Sequence, residues 1–152
     1  MEDTRPQTDQ QATERKRAWL NRYRESIDRQ KHLAETLQEL RSRSTSICAP
    51  LCAAKSAPTG AHSDRVADSV QRIEEAERRL QAEQTRGQGI AVEIINIAYT
   101  QLPLKYAQAL VGQYIELLTA EQSARKIGIR KGSVMNYRSA ALAALELPEE
   151  AP

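Results

Sequence analysis

Between Thr119 and Leu145 five side chains carry fixed positive charge, Arg125, Lys126, Arg130, Lys131 and Arg138, against a single acid, Glu121. The whole chain has a formal net charge of only +2, so these cations are concentrated rather than general. Guanidinium and ammonium groups clustered beside a short helix attract phosphate oxygens and release counterions, which is the electrostatic footprint of a nucleic-acid reader. The same stretch carries Asn136, whose carboxamide can pair with both N6 and N7 of adenine. Lys131 can reach a guanine edge or a phosphate, and Ser133 can do either. Met135 and Ser139 share the outward face with them. Base readout is therefore expected from Lys131, Ser133, Met135, Asn136 and Ser139. Thr119, Arg125, Lys126, Arg130 and Arg138 are expected at phosphates, which position a protein without reading sequence. Any one basic residue is equally well a solvated surface charge, so the expectation rests on the cluster.

These residues must be positioned by two short helices and a tight turn. Thr119 can cap the first helix, with Gln122 three residues on completing a capping box. Ala124 is small where helices approach closely, Ile127 closes the first helix, and Gly128 suits a left-handed C-cap. Ile129 fills the turn. Val134, Tyr137, Ala141, Leu142 and Leu145 then give the second helix an apolar stripe at helical spacing. This is the helix-turn-helix pattern that sets a second helix into a DNA major groove. A generic helix–loop–helix packing unit would show the same glycine and much of the same stripe. Ser123 departs from the pattern, since it sits where the first helix would normally bury an aliphatic side chain.

Other chemistry has little support. The sequence holds no Gly-rich phosphate loop, no paired-histidine metal helix and no nucleophile beside a base, so an enzyme is not expected. Cys48, Cys52 and His62 fall short of a structural zinc site, which wants four ligands in a tighter pattern; a disulfide or free thiols stay open. No cofactor or metal is expected. No apolar run is long enough to span a membrane, and the polar start MEDTRPQTDQQ lacks a signal-peptide core. The expected location is cytoplasmic.

The composition points to an all-α chain. Of 152 residues 28% are charged and 4% aromatic, with no Phe and six each of Gly and Pro, which fits long exposed helices better than a thick core. Residues 1–11 are polar and read as a disordered tail. Residues 12–101 read as a long helical hairpin. In its first helix Leu33, Leu37, Leu40, Ser44 and Ile47 follow the alternating steps of a coiled-coil seam. In the second, starting near Ser63, Val66, Ile73, Leu80, Gly87 and Ile94 recur every seven residues, with Val70, Ala91 and Ala98 on the adjoining line. Residues 45–62 form a flexible connector rich in Pro, Gly and small residues. Gly87 and Gly89 predict a kink, each costing about 1 kcal/mol relative to Ala. An antiparallel hairpin within one chain is favoured, while pairing between two copies stays open. Trp19 and Tyr23, one turn apart, mark either a partner surface or the end of the hairpin, and His32 falls on a polar helix face. Pro103 opens a third module, residues 102–147, in which a helix from Leu104 to about Leu117 covers the helix-turn-helix. Residues 148–152 read as a frayed tail.

The run LPLKYAQALVGQYIELLTAEQSARKIGIRKGSVMNYRSAALAAL resembles the fourth-region helix-turn-helix of bacterial sigma-70-type factors. It is still more similar to the short phage-encoded regulators of the ArpU and RinA type. The resemblance rests on Leu102-Pro103, Tyr114-Ile115-Glu116, Thr119-Ala120-Glu121, Ala124, Gly128, Val134 and Ala141-Leu142, with Asp64-Arg65-Val66 resembling the start of the second hairpin helix. It covers about a third of the chain. It implies a sequence-specific transcriptional regulator of phage or prophage type that binds double-stranded DNA at a promoter-like site, with RNA polymerase as a partner and a homodimer through the coiled coil as a further option. Besides Ser123, two further positions differ from the family pattern. Arg130 stands where a capping Ser or Thr is usual, and Gly132 stands where a polar base-reading side chain is typical. Two other readings remain: a small terminase-like DNA-packaging subunit, and a structural or adaptor protein whose helix pair only packs.

Overall fold

The computed structural model describes residues 5–51 and 60–149, and side chains within 9–46 and 64–149. Among the described residues the chain is all-helical, with α1 at Arg5–Leu51, α2 at Gly60–Gln101, α3 at Leu104–Tyr114, α4 at Ala120–Ile127 and α5 at Lys131–Ala144. This is the expected fold class: a long helical hairpin followed in sequence by a short helical domain. None of the described helices is long and apolar enough to cross a membrane.

Several boundaries differ from the expected ones. Residues 5–11 are helical rather than disordered, because their only proline, Pro6, lies in the first turn, where a missing N–H costs nothing. Helix α1 also continues past Thr45 to Leu51. The segment from Thr45 to Ala49 holds neither Gly nor Pro, so nothing stops the helix earlier. Helix α2 begins at Gly60 instead of Ser63 and runs unbroken through Gly87 and Gly89. Gly87 is buried, and packing offsets the modest propensity cost of a glycine. What remains of the expected connector, including Cys52, lies outside the described residues, as do the side chains of Ile47, Cys48 and His62. His32 is exposed, as expected.

The chain divides into two compact units, Ser26–Arg86 and Met1–Glu25 with Gly87–Pro152. In the first, Ser26 and Arg29 meet Glu83 while Arg41 meets Glu77. Partner numbers fall as α1 numbers rise, so the helices are antiparallel. Their seam is thin. On α1 the covered positions are Ser26, Ile27, Gln30, Leu33, Thr36, Leu37, Leu40 and Ser44, and on α2 they are Ser69, Ile73, Ala76, Leu80 and Glu83. Steps of four and three continue on both sides, as a coiled coil requires. Among the described residues of this unit, only Ser26, Leu37 and Ala76 are buried. The companion line on α2 runs through Ser69, Ala76 and Glu83, not through Val70. One residue is about 100° of helix rotation, which leaves Val70 47% exposed, and Val66 is 41% exposed.

The second unit contains the main core. Trp19 and Leu20 of α1 pack with Ile90, Ile94 and Ala98 of α2, Leu102, Ala107, Leu110, Val111 and Tyr114 in and before α3, and Ala141, Leu142 and Leu145. Tyr23 packs against this cluster, so Trp19 and Tyr23 serve the core. Three helices of 11, 8 and 14 residues with almost no aromatics bury little surface by themselves; the ends of two longer helices complete the core. The C-terminal segment is held as well. Gln101 donates to Glu146 O at 3.0 Å and accepts from Glu146 N at 2.9 Å. Lys16 Nζ donates to Ala143 O at 3.0 Å. Leu147 packs on the core, Pro148 is half-buried and Glu149 is exposed; residues 150–152 of the expected tail lie outside the described ones.

Candidate nucleic-acid interface

Helix α4 starts as its sequence dictates. Thr119 Oγ1 accepts from Gln122 N at 3.2 Å, and Gln122 Oε1 accepts from Thr119 N at 2.9 Å, which closes the capping box and satisfies two otherwise unpaired donors. The helix ends on Gly128 at φ 79°, ψ 35°, a left-handed conformation that a Cβ would disfavour. Gly128 N and Ile129 N both donate to Ala124 O, at 2.9 and 3.0 Å, and the chain reverses into α5.

Helix α5 buries Val134, Ala141 and Leu142, with Leu145 immediately past its end. Half-buried Tyr137 packs its ring against Tyr106 with centroids 5.1 Å apart, fixing the rotation of α5 against α3. The opposite side is open. Lys131, Gly132, Met135, Asn136 and Ser139 are all exposed, Met135 to 53%. Ser133 is half-buried and faces partly away from the other four expected readers. Nothing lies within 4 Å of where a Cβ on Gly132 would stand. Arg130 occupies the N-cap position with extended backbone and makes no side-chain cap bond; its guanidinium is left exposed.

The five cations behave in three ways. Arg125 and Arg130 are exposed and have no acidic partner among the described residues. Lys126 pairs with Glu116, and Lys131 pairs with Glu121 at 3.1 Å. Both lysines are at least 60% exposed, so these pairs are weak and screened, and can exchange a carboxylate for a phosphate. Glu116 lies before the cationic stretch in sequence, so only the fold shows that it offsets one of its charges.

Arg138 is a correction to the expected phosphate set. Its guanidinium turns inward, where Nη2 donates to Leu118 O at 3.1 Å and to Ser123 Oγ at 3.0 Å. Its Nε is buried without a partner. Burial lowers its pKa from the usual guanidinium range, while the nearby Tyr114 opposes the change. Ser123, 1% exposed, thus occupies the buried aliphatic position because it supplies an acceptor to this guanidinium. A Cβ on Gly112 would stand 3.1 Å from Ser123 Oγ, so α3 is glycine where it passes this pair. The arrangement ties α5 to the turn between α3 and α4. Spacing along the sequence carries no signal for it; the unexpected serine was its single trace.

The outward face of α5 presents one carboxamide, one hydroxyl, one thioether and one ammonium group, flanked by free guanidinium groups at Arg125 and Arg130. Such a surface can hydrogen-bond planar base edges and bind anionic oxygens. Among the described residues no cluster of His, Cys, Asp or Glu has the arrangement of a metal site. A scan of the chain against protein-family models finds no match, and no curated protein and no solved structure matches it.

Proposed function

We propose that this protein is a sequence-specific, non-enzymatic binder of double-stranded DNA that regulates transcription, with α5 as the helix that enters the major groove. The observation that carries this reading is the open polar face of α5, Lys131, Met135, Asn136 and Ser139, standing beside Arg125 and Arg130 and directly after a properly capped α4. Asn136 and Ser139 lie on one side of the helix and supply directional hydrogen bonds; Met135 suits a thymine methyl. Thr119, Arg125, Lys126 and Arg130 hold the phosphate backbone, while Arg138 holds the turn. The likeness of residues 102–145 to the sigma-70 fourth region and to phage regulators of the ArpU and RinA type gives the reading its biological setting: a promoter-like target, a cytoplasmic location, RNA polymerase as the associated machinery and the coiled coil as a route to a homodimer.

Selection of bound fragments from a random duplex pool tests this directly. The selected site binds more tightly than a scrambled one, and affinity falls with salt. Asn136→Ala reduces the preference between selected and scrambled duplexes by roughly 5- to 150-fold, the equivalent of about 1–3 kcal/mol. Lys131→Ala weakens binding to both duplexes alike. Unchanged binding in both variants removes α5 as the reading helix. A chain that binds no duplex at any salt concentration is an adaptor whose helix pair only packs.

A further inference from the structure

Outside the α4–α5 face, one cleft of about 280 Å³ has a lining of unusual chemistry: Arg17, Asn21 and Arg24 of α1 face Gln113, Tyr114 and Leu117 at the end of α3. Positions 17, 21 and 24 follow steps of four and three, so they share one face of α1. No carboxylate lines the cleft, and neither arginine has an acidic partner among the described residues. Elsewhere along α1, Arg22, Arg29 and Arg41 are each paired with a glutamate of α2. Tyr114 is 8% exposed. Burial raises its pKa, with the charges of Arg17 and Arg138 acting against that rise, so at neutral pH it keeps its proton and can donate it in a hydrogen bond. Every polar side chain of the cleft therefore offers a donor.

The far wall has its own peculiarity. Leu117 adopts φ 55°, the only non-glycine residue with positive φ among the described residues, a left-handed conformation that a β-carbon disfavours. It is held by the bond from Leu118 N to Gly112 O at 2.8 Å and by Arg138 on Leu118 O. The turn that this locks leads within two residues to Thr119, the N-cap of α4, which is where a helix-turn-helix meets the DNA backbone.

We infer that this cleft is a second phosphate-binding site, in which Arg17 and Arg24 hold backbone phosphates of the same duplex that α5 reads. The inference rests on the DNA-binding function proposed above and extends the interface onto α1. Arg17 and Arg24 are about 10 Å apart along the helix axis. One DNA strand advances about 3.4 Å along the duplex axis per phosphate, so the two guanidiniums engage different phosphates. Asn21 and the Tyr114 hydroxyl complete the donor set between them. Contacts of this kind add affinity and salt dependence, not sequence preference.

The test is salt-dependent duplex binding by the full-length chain, wild type against R17Q/R24Q. Removing two phosphate contacts lowers the log–log salt slope by about 1.8, while the ratio between selected and scrambled duplexes stays at the wild-type value. R17K/R24K restores most of the slope. R72Q/R78Q, the same charge change on exposed positions of α2, leaves it at the wild-type value. A wild-type slope in R17Q/R24Q overturns the inference while leaving the proposed function standing. So does an equal fall in R72Q/R78Q, because charge alone then explains the effect. If the wild-type chain binds no duplex, both readings fall together. Inorganic phosphate, followed through the Arg17 and Arg24 Nε–H NMR signals, then shows whether an anion cleft exists without DNA.

Discussion

Arg138, Ser123 and Gly112 come from three different helices and meet at one point. The guanidinium needs acceptors, the serine hydroxyl is one of them at 3.0 Å, and the glycine gives the hydroxyl room. Burial lowers the pKa of Arg138, but a guanidinium keeps its charge at neutral pH. Truncating Ser123 to Ala leaves that guanidinium with the Leu118 carbonyl as its one protein acceptor among the described residues. A hydrogen bond to a charged group contributes about 1.5–3 kcal/mol, so Ser123→Ala is expected to destabilise the protein by roughly that amount in urea unfolding. The double variant S123A/R138M should cost clearly less than the sum of its two single variants, because each removes the same interaction. Additive costs would show that the pair is incidental. The five cations of the cluster were legible as residues from composition alone. Their separate fates were not, because the distinction between a free, a paired and a buried cation depends on Glu116, Glu121, Leu118 and Ser123, which only the fold brings to them.

Among the elements, α4 was the most legible. Thr119, Gln122 and Gly128 each satisfy a local requirement of a helix end, and no distant contact is needed to read them. The hairpin was legible in its period but not in its exact seam. Val70 looks like a seam residue because it is apolar, yet the companion line runs through Ser69, Ala76 and Glu83. Hydropathy misleads here because the seam is partly polar. Ser26 Oγ donates to Glu83 Oε1 at 2.8 Å and Arg29 Nε donates to the same oxygen at 3.0 Å. Burial pushes the Glu83 carboxyl up. The hydrogen bonds from Ser26 and Arg29 and the charges of Arg29 and Arg86 outweigh it, leaving the pKa below the usual 4.5. A carboxylate depressed in the folded state contributes stability that is fully present above its unfolded pKa and is lost as pH falls through the folded value. The hairpin should therefore lose stability below about pH 4.5, and Glu83→Gln should remove part of that loss while lowering stability at pH 7. Thermal unfolding followed from pH 7 to pH 3 checks both. Parallel pH curves for the two proteins would show that Glu83 contributes nothing to the acid sensitivity.

For the molecule as a whole, the division of the core decides what can fold alone. Sequence patterning suggests that residues 102–147 form their own domain, since three amphipathic helices with a capped turn are a familiar unit. The side chains show a shared core instead: Trp19, Leu20, Ile90 and Ile94 are all at most 9% exposed and pack on α3 and α5. Burying a large apolar side chain contributes about 1.5–3 kcal/mol, so these four supply roughly 6–12 kcal/mol. That equals most of the net stability of an ordinary small domain, about 5–15 kcal/mol. A fragment of residues 102–152 should accordingly show no cooperative unfolding transition, whereas the full chain should. In the full chain, Leu20→Ala should cost about 2–5 kcal/mol and loosen α5, although Leu20 lies on α1 and is fully buried. If the fragment instead melts sharply, near the temperature of the full chain, the helix-turn-helix owns its stability and the ends of α1 and α2 merely cover it. The two outcomes also separate two ways of binding DNA. An autonomous reader would bind with the hairpin removed, but a reader with a shared core loses its recognition helix together with the first turns of the hairpin that support it.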